Sequence, residues 1–247
     1  MILNTLIKKS EISERSEYSQ DEIVKILVAK GNNTTFVNPH SYLILRGQTN
    51  LLDIFDYILS DGILVTKLLN ILLNVNRQRL SFDFSSLAKQ VLESASKNGL
   101  SVYFIGASES AIEKFIMTIK IKYQNIILKG FRNGYFNNKE ELNLSIREIV
   151  QLKPDIVIVG MGSGKQEEYI NELLMSNYKG ATFTCGAFIE QSSEKLEFYP
   201  SLINKFHLRW LFRIYHQPSL LSRYIFRYPL FVLIFFYDYY QFRKSGK

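Results

Sequence analysis

Four β-branched residues, Ile156-Val157-Ile158-Val159, run into Gly160-Met161-Gly162-Ser163-Gly164 and then into Lys165-Gln166-Glu167. The apolar run suits a parallel strand covered on both faces. The glycines permit a tight turn and close backbone approach, and the charged triplet opens a helix. In a doubly wound sheet, that junction of strand end and helix N-terminus is where phosphorylated ligands sit. The spacing excludes two motifs. A P-loop needs four residues between its first Gly and Gly-Lys, and Gly-x-Gly-x-Gly is not a dinucleotide fingerprint. On the residues alone, a plain strand–helix turn with Lys165 and Gln166 in solvent is the simpler account. The alternative has both side chains binding a diphosphate or nucleobase.

Further polar groups fall at the ends of expected strands, where a parallel sheet makes them converge. They are Asn38, Asp61, Asp83, Gly106, the Asn133-Gly134-Tyr135 loop and Glu190. Asp61 fits two roles. As a general base it would take the proton of an attacking sugar hydroxyl; as the residue of Asp61-Gly62 before Ile63 it would cap a helix. His40, His207 and His216 are scattered, and with one cysteine they form no metal-ligand spacing. Cys185 lies in an expected strand without a histidine partner and reads as core.

The elements that must position these groups alternate. Ser19-Gln20-Asp21-Glu22 reads as a capping box for a helix to about Lys30. Thr34–Val37 is a strand ending at Asn38-Pro39, Leu51–Ile58 is helical by spacing, and Ile63–Leu73 is an apolar helix. A helix over 86–98 closes at Gly99. Strands follow at Val102–Ile105, Ile126–Leu128, Pro154–Gly160 and Ala181–Cys185, and helices at Glu109–Tyr123, Lys139–Leu152 and from Lys165. Strand, glycine turn and helix in repetition predict an α/β fold, a parallel sheet with helices on both faces. One cysteine permits no intrachain disulfide and fits a reducing compartment, and residues 1–22 carry five acids and no signal-peptide core.

Charge divides the 247-residue chain. Residues 1–200 hold 22 basic and 22 acidic side chains, whereas 201–247 hold eight basic and only Asp238. Fourteen aromatic residues crowd the same tail. Cations among Tyr and Trp point to a polyanionic partner, with a membrane surface favoured over nucleic acid. The apolar stretch Leu230–Tyr237 is eight residues, against the roughly twenty of a spanning helix. The plainer reading packs these aromatics onto the sheet domain. We therefore divide the chain into a glycine-turn α/β domain, 1–200, and a basic aromatic helical appendage, 201–247.

The ordered set Val37-Asn38-Pro39, Ser60-Asp61-Gly62, Val102–Gly106, Gly134-Tyr135-Phe136, Pro154-Asp155-Ile156 and Gly160–Glu167 resembles the WecG/TagA/CpsF glycosyltransferase family. Trp210, Arg213, Pro218 and Arg223-Tyr224 continue the likeness to about Tyr228. The resemblance implies a Rossmann-like fold and inverting, metal-independent transfer of a sugar from a UDP-sugar donor to a polyprenyl-diphosphate-linked acceptor. It implies roles in capsule, exopolysaccharide or teichoic acid synthesis, on the cytoplasmic face of the plasma membrane. It makes Asp61 the base, assisted by Asn38. Asp83, Gly106, Gly134, Tyr135, Gly162, Lys165, Gln166, Glu167 and Glu190 become substrate contacts, and Arg213 and Arg223 hold diphosphate. No cofactor is implied, and homo-oligomerisation is left open.

The sequence departs from the family pattern at defined positions. Phe36 replaces a threonine, Ser81 a glycine, Gly164 a proline, Arg209 a glutamate and Leu220 an arginine. Ile189-Glu190 stands for Phe-Asp and Phe198-Tyr199-Pro200 for Arg-Ala-Pro. These changes leave a second expectation, a non-catalytic nucleotide-sugar-binding or scaffold subunit of a polysaccharide assembly complex.

Overall fold

The β-branched runs become the middle of a six-stranded sheet, all of whose pairings are parallel. A computed structural model describes residues 2–14, 17–196, 203 and 208–246. The strands are β1 (Asn33–Val37), β2 (Tyr57–Ser60), β3 (Ser101–Gly106), β4 (Ile127–Arg132), β5 (Ile156–Gly160) and β6 (Ala181–Thr184), in the order β2-β1-β6-β5-β3-β4. The inner strands β1, β3, β5 and β6 are buried at every residue, which is why their sequences run apolar or β-branched rather than alternating.

Helices α1 (Ile2–Lys9), α2 (Gln20–Leu27), α3 (Pro39–Leu45), α4 (Ile63–Leu73), α5 (Leu87–Asn98), α6 (Glu109–Lys122), α7 (Lys139–Leu152), α8 (Lys165–Met175) and α9 (Phe188–Ser192) surround the sheet. Residues of α2, α5, α6 and α9 pack with Phe104, Ile158 and Phe183 into one core. On the opposite face α1, α3, α4, α7 and α8 pack with Ile105, Val157 and Val159. Successive strand residues thus serve opposite cores, as the period of two requires. The doubly wound expectation holds, and the chain is a Rossmann-like α/β protein.

Several local expectations change. Leu51–Ile58 is not a helix: it divides into a 3-10 turn at Thr49–Leu52 and strand β2. Its apolar spacing is ambiguous over so short a run, and parallel pairing of Tyr57–Ser60 with Thr34–Val37 decides the matter. Asn38-Pro39 does not merely end a strand. It starts α3, with Asn38 as N-cap and Pro39 in the first turn. The Ser19–Glu22 capping box forms, but its helix stops at Leu27, before Lys30. Strand β4 continues through Gly130, where any side chain would strike the Tyr103 ring.

Among the described residues of the appendage are helices α10 (Arg209–His216) and α11 (Tyr228–Lys244), with a π-helical turn at Arg223–Arg227 between them. The eight-residue apolar stretch was too narrow a frame for α11. The helical run Pro218–Lys244 spans 27 residues and is, by length and composition, apolar enough to cross a membrane. One face of α11 is nevertheless pinned to the protein. Phe231 and Phe235 are buried against Tyr42 of α3, with ring centroids 5.2 and 5.5 Å away. Burial of each stabilises the docking by roughly 2 kcal/mol. Asp238, buried beside them, accepts hydrogen bonds from Tyr42 Oη (2.8 Å) and Arg46 Nη2 (2.9 Å). The opposite face leaves Leu230, Leu233, Phe236, Tyr237 and Tyr240 exposed. Residues 197–202, which hold the expected domain boundary and Phe198-Tyr199-Pro200, lie outside the described residues, as does His207.

Candidate active site

The carboxyl ends of β1, β2, β5 and β6 open into a cavity of about 1060 Å³, roofed by α10 and the π-helical turn. Five cations, Arg79, Lys165, Arg209, Arg213 and Arg223, line it against two acids, Asp61 and Asp83. Such a balance favours an anionic ligand.

Asp61 follows β2 directly, and its backbone N–H donates to Val37 O of β1 (3.0 Å), fixing where the residue leaves the sheet. The cap reading of this aspartate fails, because the N-cap of α4 is Gly62 and no side chain caps it. The Asp61 carboxylate instead receives Arg79 Nη1 on Oδ1 at 3.3 Å, and the same nitrogen donates to the Asp61 carbonyl at 3.0 Å. A part-exposed carboxylate oriented by a guanidinium has the form of a general base.

Asn38, one strand over, is committed differently. Its Oδ1 accepts from the backbone N–H groups of His40 (3.0 Å) and Ser41 (3.1 Å), so only the amide Nδ2 remains for a ligand. Its immediate role is to cap α3 at the cavity wall.

The triplet that opens α8 splits between wall and foundation. Lys165 lines the cavity. Gln166 also lines it but is 3% exposed. Its Oε1 accepts from Gly186 N (3.0 Å) and its Nε2 donates to Glu167 (3.0 Å). Glu167 is fully buried beneath the cavity and accepts from Thr35 Oγ1 (2.9 Å) and Gly164 N (2.7 Å) as well. Burial pushes its carboxyl above the usual range, partly offset by the donors from Gln166, Thr35 and Gly164. Thr35 in turn bonds Thr184 Oγ1 at 2.9 Å, so one buried network joins the ends of β1 and β6 to the start of α8. Gly164 has φ +89°, which the proline expected there by family resemblance could not adopt.

Asp83 faces the cavity but is already held by the chain. It accepts from Ser81 Oγ (2.6 Å), Ser85 N (2.9 Å) and Arg209 Nη1 (2.7 Å). Burial raises the cost of its charge, and the Arg209 guanidinium, with the serine hydroxyls and Arg79, outweighs this and holds the carboxyl below its usual range. Two departures from the family pattern, Ser81 and Arg209, thus converge on one carboxylate and latch α10 to the sheet domain.

Eight sequence-nominated residues therefore line one cavity: Asn38, Asp61, Asp83, Gly162, Lys165, Gln166, Arg213 and Arg223. Five do not. Glu167 lies beneath it. Gly106 and Gly134 are close-approach positions, since a Cβ on Gly106 (φ +145°) would sit 2.3 Å from Gly160 O, and one on Gly134 would sit 2.9 Å from Gly106 Cα. Tyr135 projects into solvent from the loop after β4. Glu190 accepts from Ser108 N at 3.1 Å and ties α9 to the start of α6.

The sequence reading missed Arg79 and His40. Arg79 had no motif around it, and its role depends on the turn that returns it to Asp61. His40 lines the cavity, with Arg227 Nη1 3.4 Å from its Nδ1. The Asn-Pro cap before it was the available signal.

The family model for glycosyl transferases of the WecG/TagA/CpsF type matches residues 7–245. The chain belongs to this family. It is a glycosyltransferase. A similar relative is a UDP-Gal:alpha-D-GlcNAc-diphosphoundecaprenol beta-1,4-galactosyltransferase of Shigella boydii, 35% identical over 201 residues, covering 81% of this chain and 84% of the relative. N-acetylglucosaminyldiphosphoundecaprenol N-acetyl-beta-D-mannosaminyltransferases are also similar. That of Bacillus subtilis strain 168 is 26% identical over 174 residues, covering 70% of this chain and 66% of its own. That of Staphylococcus aureus strain NCTC 8325 is 26% identical over 189 residues, covering 76% and 70%.

Proposed function

We propose that this glycosyltransferase moves a hexosyl or N-acetylhexosaminyl group from a UDP-sugar to a sugar carried on a polyprenyl diphosphate, with inversion, in cell-surface polysaccharide synthesis. The observation that carries the reading is a single cavity placing the Asp61 carboxylate across from the appendage guanidiniums Arg213 and Arg223. Relatives that act on diphosphoundecaprenol-linked N-acetylglucosamine support the acceptor class.

In this mechanism the acceptor hydroxyl oxygen forms a bond to the anomeric carbon while the bond from that carbon to the UDP oxygen breaks. The hydroxyl proton passes to Asp61, and UDP departs with the bonding electron pair. A single displacement of this kind inverts the anomeric centre. Arg79 keeps Asp61 oriented, and Asn38 Nδ2 and Lys165 are placed to hold donor or acceptor oxygens. Cationic donors fixed around the cavity offset the charge that develops on diphosphate.

The appendage brings the cavity to the lipid. Pinned along α3 by Asp238, α11 is read as lying in the interface rather than crossing it. Leu233, Phe236 and Tyr240 of α11 are exposed, as are Trp210 and Leu211 of α10 and Phe226 of the π-helical turn. An apolar face beside cations suits peripheral docking on the inner, anionic leaflet of the plasma membrane.

The test is UDP release from UDP-galactose, UDP-N-acetylglucosamine and UDP-N-acetylmannosamine with a lipid-diphosphate N-acetylglucosamine acceptor, for wild type and Asp61→Asn. Acceptor-dependent release by the wild type and its loss in the variant are expected. Equal rates in the two would remove Asp61 as base.

A further inference from the structure

Among the titratable groups of the cavity that the transfer mechanism leaves unused is a histidine with unusual surroundings. His40 sits in the first turn of α3, immediately after the Asn38 cap and on the cavity wall. Three guanidiniums from the appendage face it: Arg213 of α10 and Arg223 and Arg227 of the π-helical turn. Arg227 Nη1 lies 3.4 Å from His40 Nδ1. A guanidinium can only donate, so Nδ1 accepts and the ring is the neutral tautomer carrying its hydrogen on Nε2. The other charged groups of the same cavity are Asp61, Arg79, Asp83, Lys165 and Arg209, and the hydroxyls of Tyr224 and Tyr228 stand beside the arginines.

We propose that His40 is a proton-coupled ligand of diphosphate: when a diphosphate group enters among Arg213, Arg223 and Arg227, His40 takes up one proton from solvent and donates to it. This rests on the diphosphate-transfer reading above and adds to it a residue and a proton.

The physical argument is one of charge. Burial and the three guanidiniums hold the imidazole far down, at about 4. A further positive charge there is opposed by every neighbour on the appendage side. A diphosphate brings two or more negative charges to the same place, reverses the local potential and offers acceptor oxygens. Arg227 then has a better partner than Nδ1, and Nδ1 is free to be protonated. Binding and protonation are linked, so each must strengthen the other. A neutral His40 also spares α3 one more charge repelling the appendage arginines.

If the bound imidazole regains at least its unperturbed value of about 6.5, His40 should raise diphosphate affinity by about tenfold between pH 7.5 and pH 5.5. Diphosphates titrate over the same range, so the informative quantity is the ratio of wild-type affinity to that of His40→Gln, in which ligand protonation cancels. Calorimetry on the full chain, in two buffers of different ionisation enthalpy, reads both affinity and proton uptake. Two probes separate the sources of the group: UDP for the donor side and a short-chain prenyl diphosphate for the acceptor side.

The expected result is an uptake at pH 5.5 close to one proton greater in the wild type than in His40→Gln with at least one probe, and an affinity ratio rising about tenfold on acidification. The probe that shows it identifies which diphosphate occupies this wall. A ratio that stays flat for probes that do bind overturns the role of His40 and leaves the transferase reading standing. Failure of the wild type to bind either probe overturns both. Should His40→Gln not fold, an NMR titration of the wild-type imidazole decides: an unchanged midpoint on saturation with UDP and with prenyl diphosphate refutes the coupling.

Discussion

The two walls of the cavity are built on opposite principles. The sheet wall stands on β1, β5, β6 and α8, where Thr35, Thr184, Gln166 and Glu167 satisfy one another in a buried network. The appendage wall stands on α10 and the π-helical turn, neither of which contains a buried residue, and presents Arg209, Arg213 and Arg223. Rigidity on the first wall comes from polar groups that have spent their hydrogen bonds on the chain. The second wall concentrates positive charge in the cavity, with Arg209 also latched to Asp83. On the proposed function this division has a use, because a fixed wall would position the sugar while the appendage wall would meet the membrane.

The comparison can be broken most sharply at Asp61, the sheet-wall group assigned to chemistry rather than to structure. Asp61→Asn should reduce transfer on the order of 10²–10⁴-fold with UDP affinity and thermal midpoint near wild type. Retained turnover in a single-turnover assay would return the residue to a structural role.

Next in size is the joint between the walls. Arg46→Ala leaves Asp238 buried without its ionic partner, and we expect a loss of about 3 kcal/mol in denaturant unfolding. Sedimentation with acidic liposomes should weaken in parallel if α11 is the docking element. Unchanged stability would show that Phe231 and Phe235 hold α11 alone.

On the appendage wall, Arg213→Ala or Arg223→Ala should each weaken pyrophosphate binding roughly 10–100-fold, since a hydrogen bond to a charged group contributes about 1.5–3 kcal/mol. A matching change in Gln166→Ala, without loss of stability, would contradict the division of labour.

The smallest effect is a difference in pH dependence between two carboxyls at the cavity, Glu167 and Asp83. Glu167 is raised above its ordinary 4.5, so the folded protein binds its proton more tightly than the unfolded chain does. Its contribution is full below 4.5 and is lost as pH rises through the folded value. Asp83 is lowered below 3.8, so its contribution is full above 3.8 and is lost as pH falls through the folded value. Stability differences from Glu167→Gln and Asp83→Asn, followed by denaturant unfolding from pH 3 to 7, should therefore slope in opposite directions, each on the order of 1 kcal/mol. Parallel slopes would refute the assignment.

The parts of the site that could be read from sequence are those whose signals are local. Gly160–Glu167 declared a strand, a turn and a helix start, and lysine at 165 did reach the cavity. Glu167 looked equally available in sequence, yet it is foundation, because Thr35 lies 132 residues away and only parallel pairing of the sheet brings it within 2.9 Å. Asp61 could be either cap or base until Gly62 proved to be the cap. The α3 start was legible in principle, as Asn followed by Pro, and was obscured by the strand reading of Val37. Strand β2 was not legible, because four residues with helix-compatible spacing acquire their identity from β1.

The sequence by itself determined the alternation of strand and helix, the family, and the concentration of charge and aromatics in the last fifth of the chain. These are properties of periodicity and composition, carried by neighbours a few residues apart. Tertiary structure alone decided which polar groups are consumed and which remain available. Glu167 is held beneath the cavity by Thr35, and Gln166 and Asp83 line it with hydrogen bonds already made to Gly186 and Arg209, while Asp61, Lys165, Arg213, Arg223 and the unheralded His40 line the same cavity. Availability is a three-dimensional quantity: a side chain can serve a ligand only with hydrogen bonds and charge that folding has not already used.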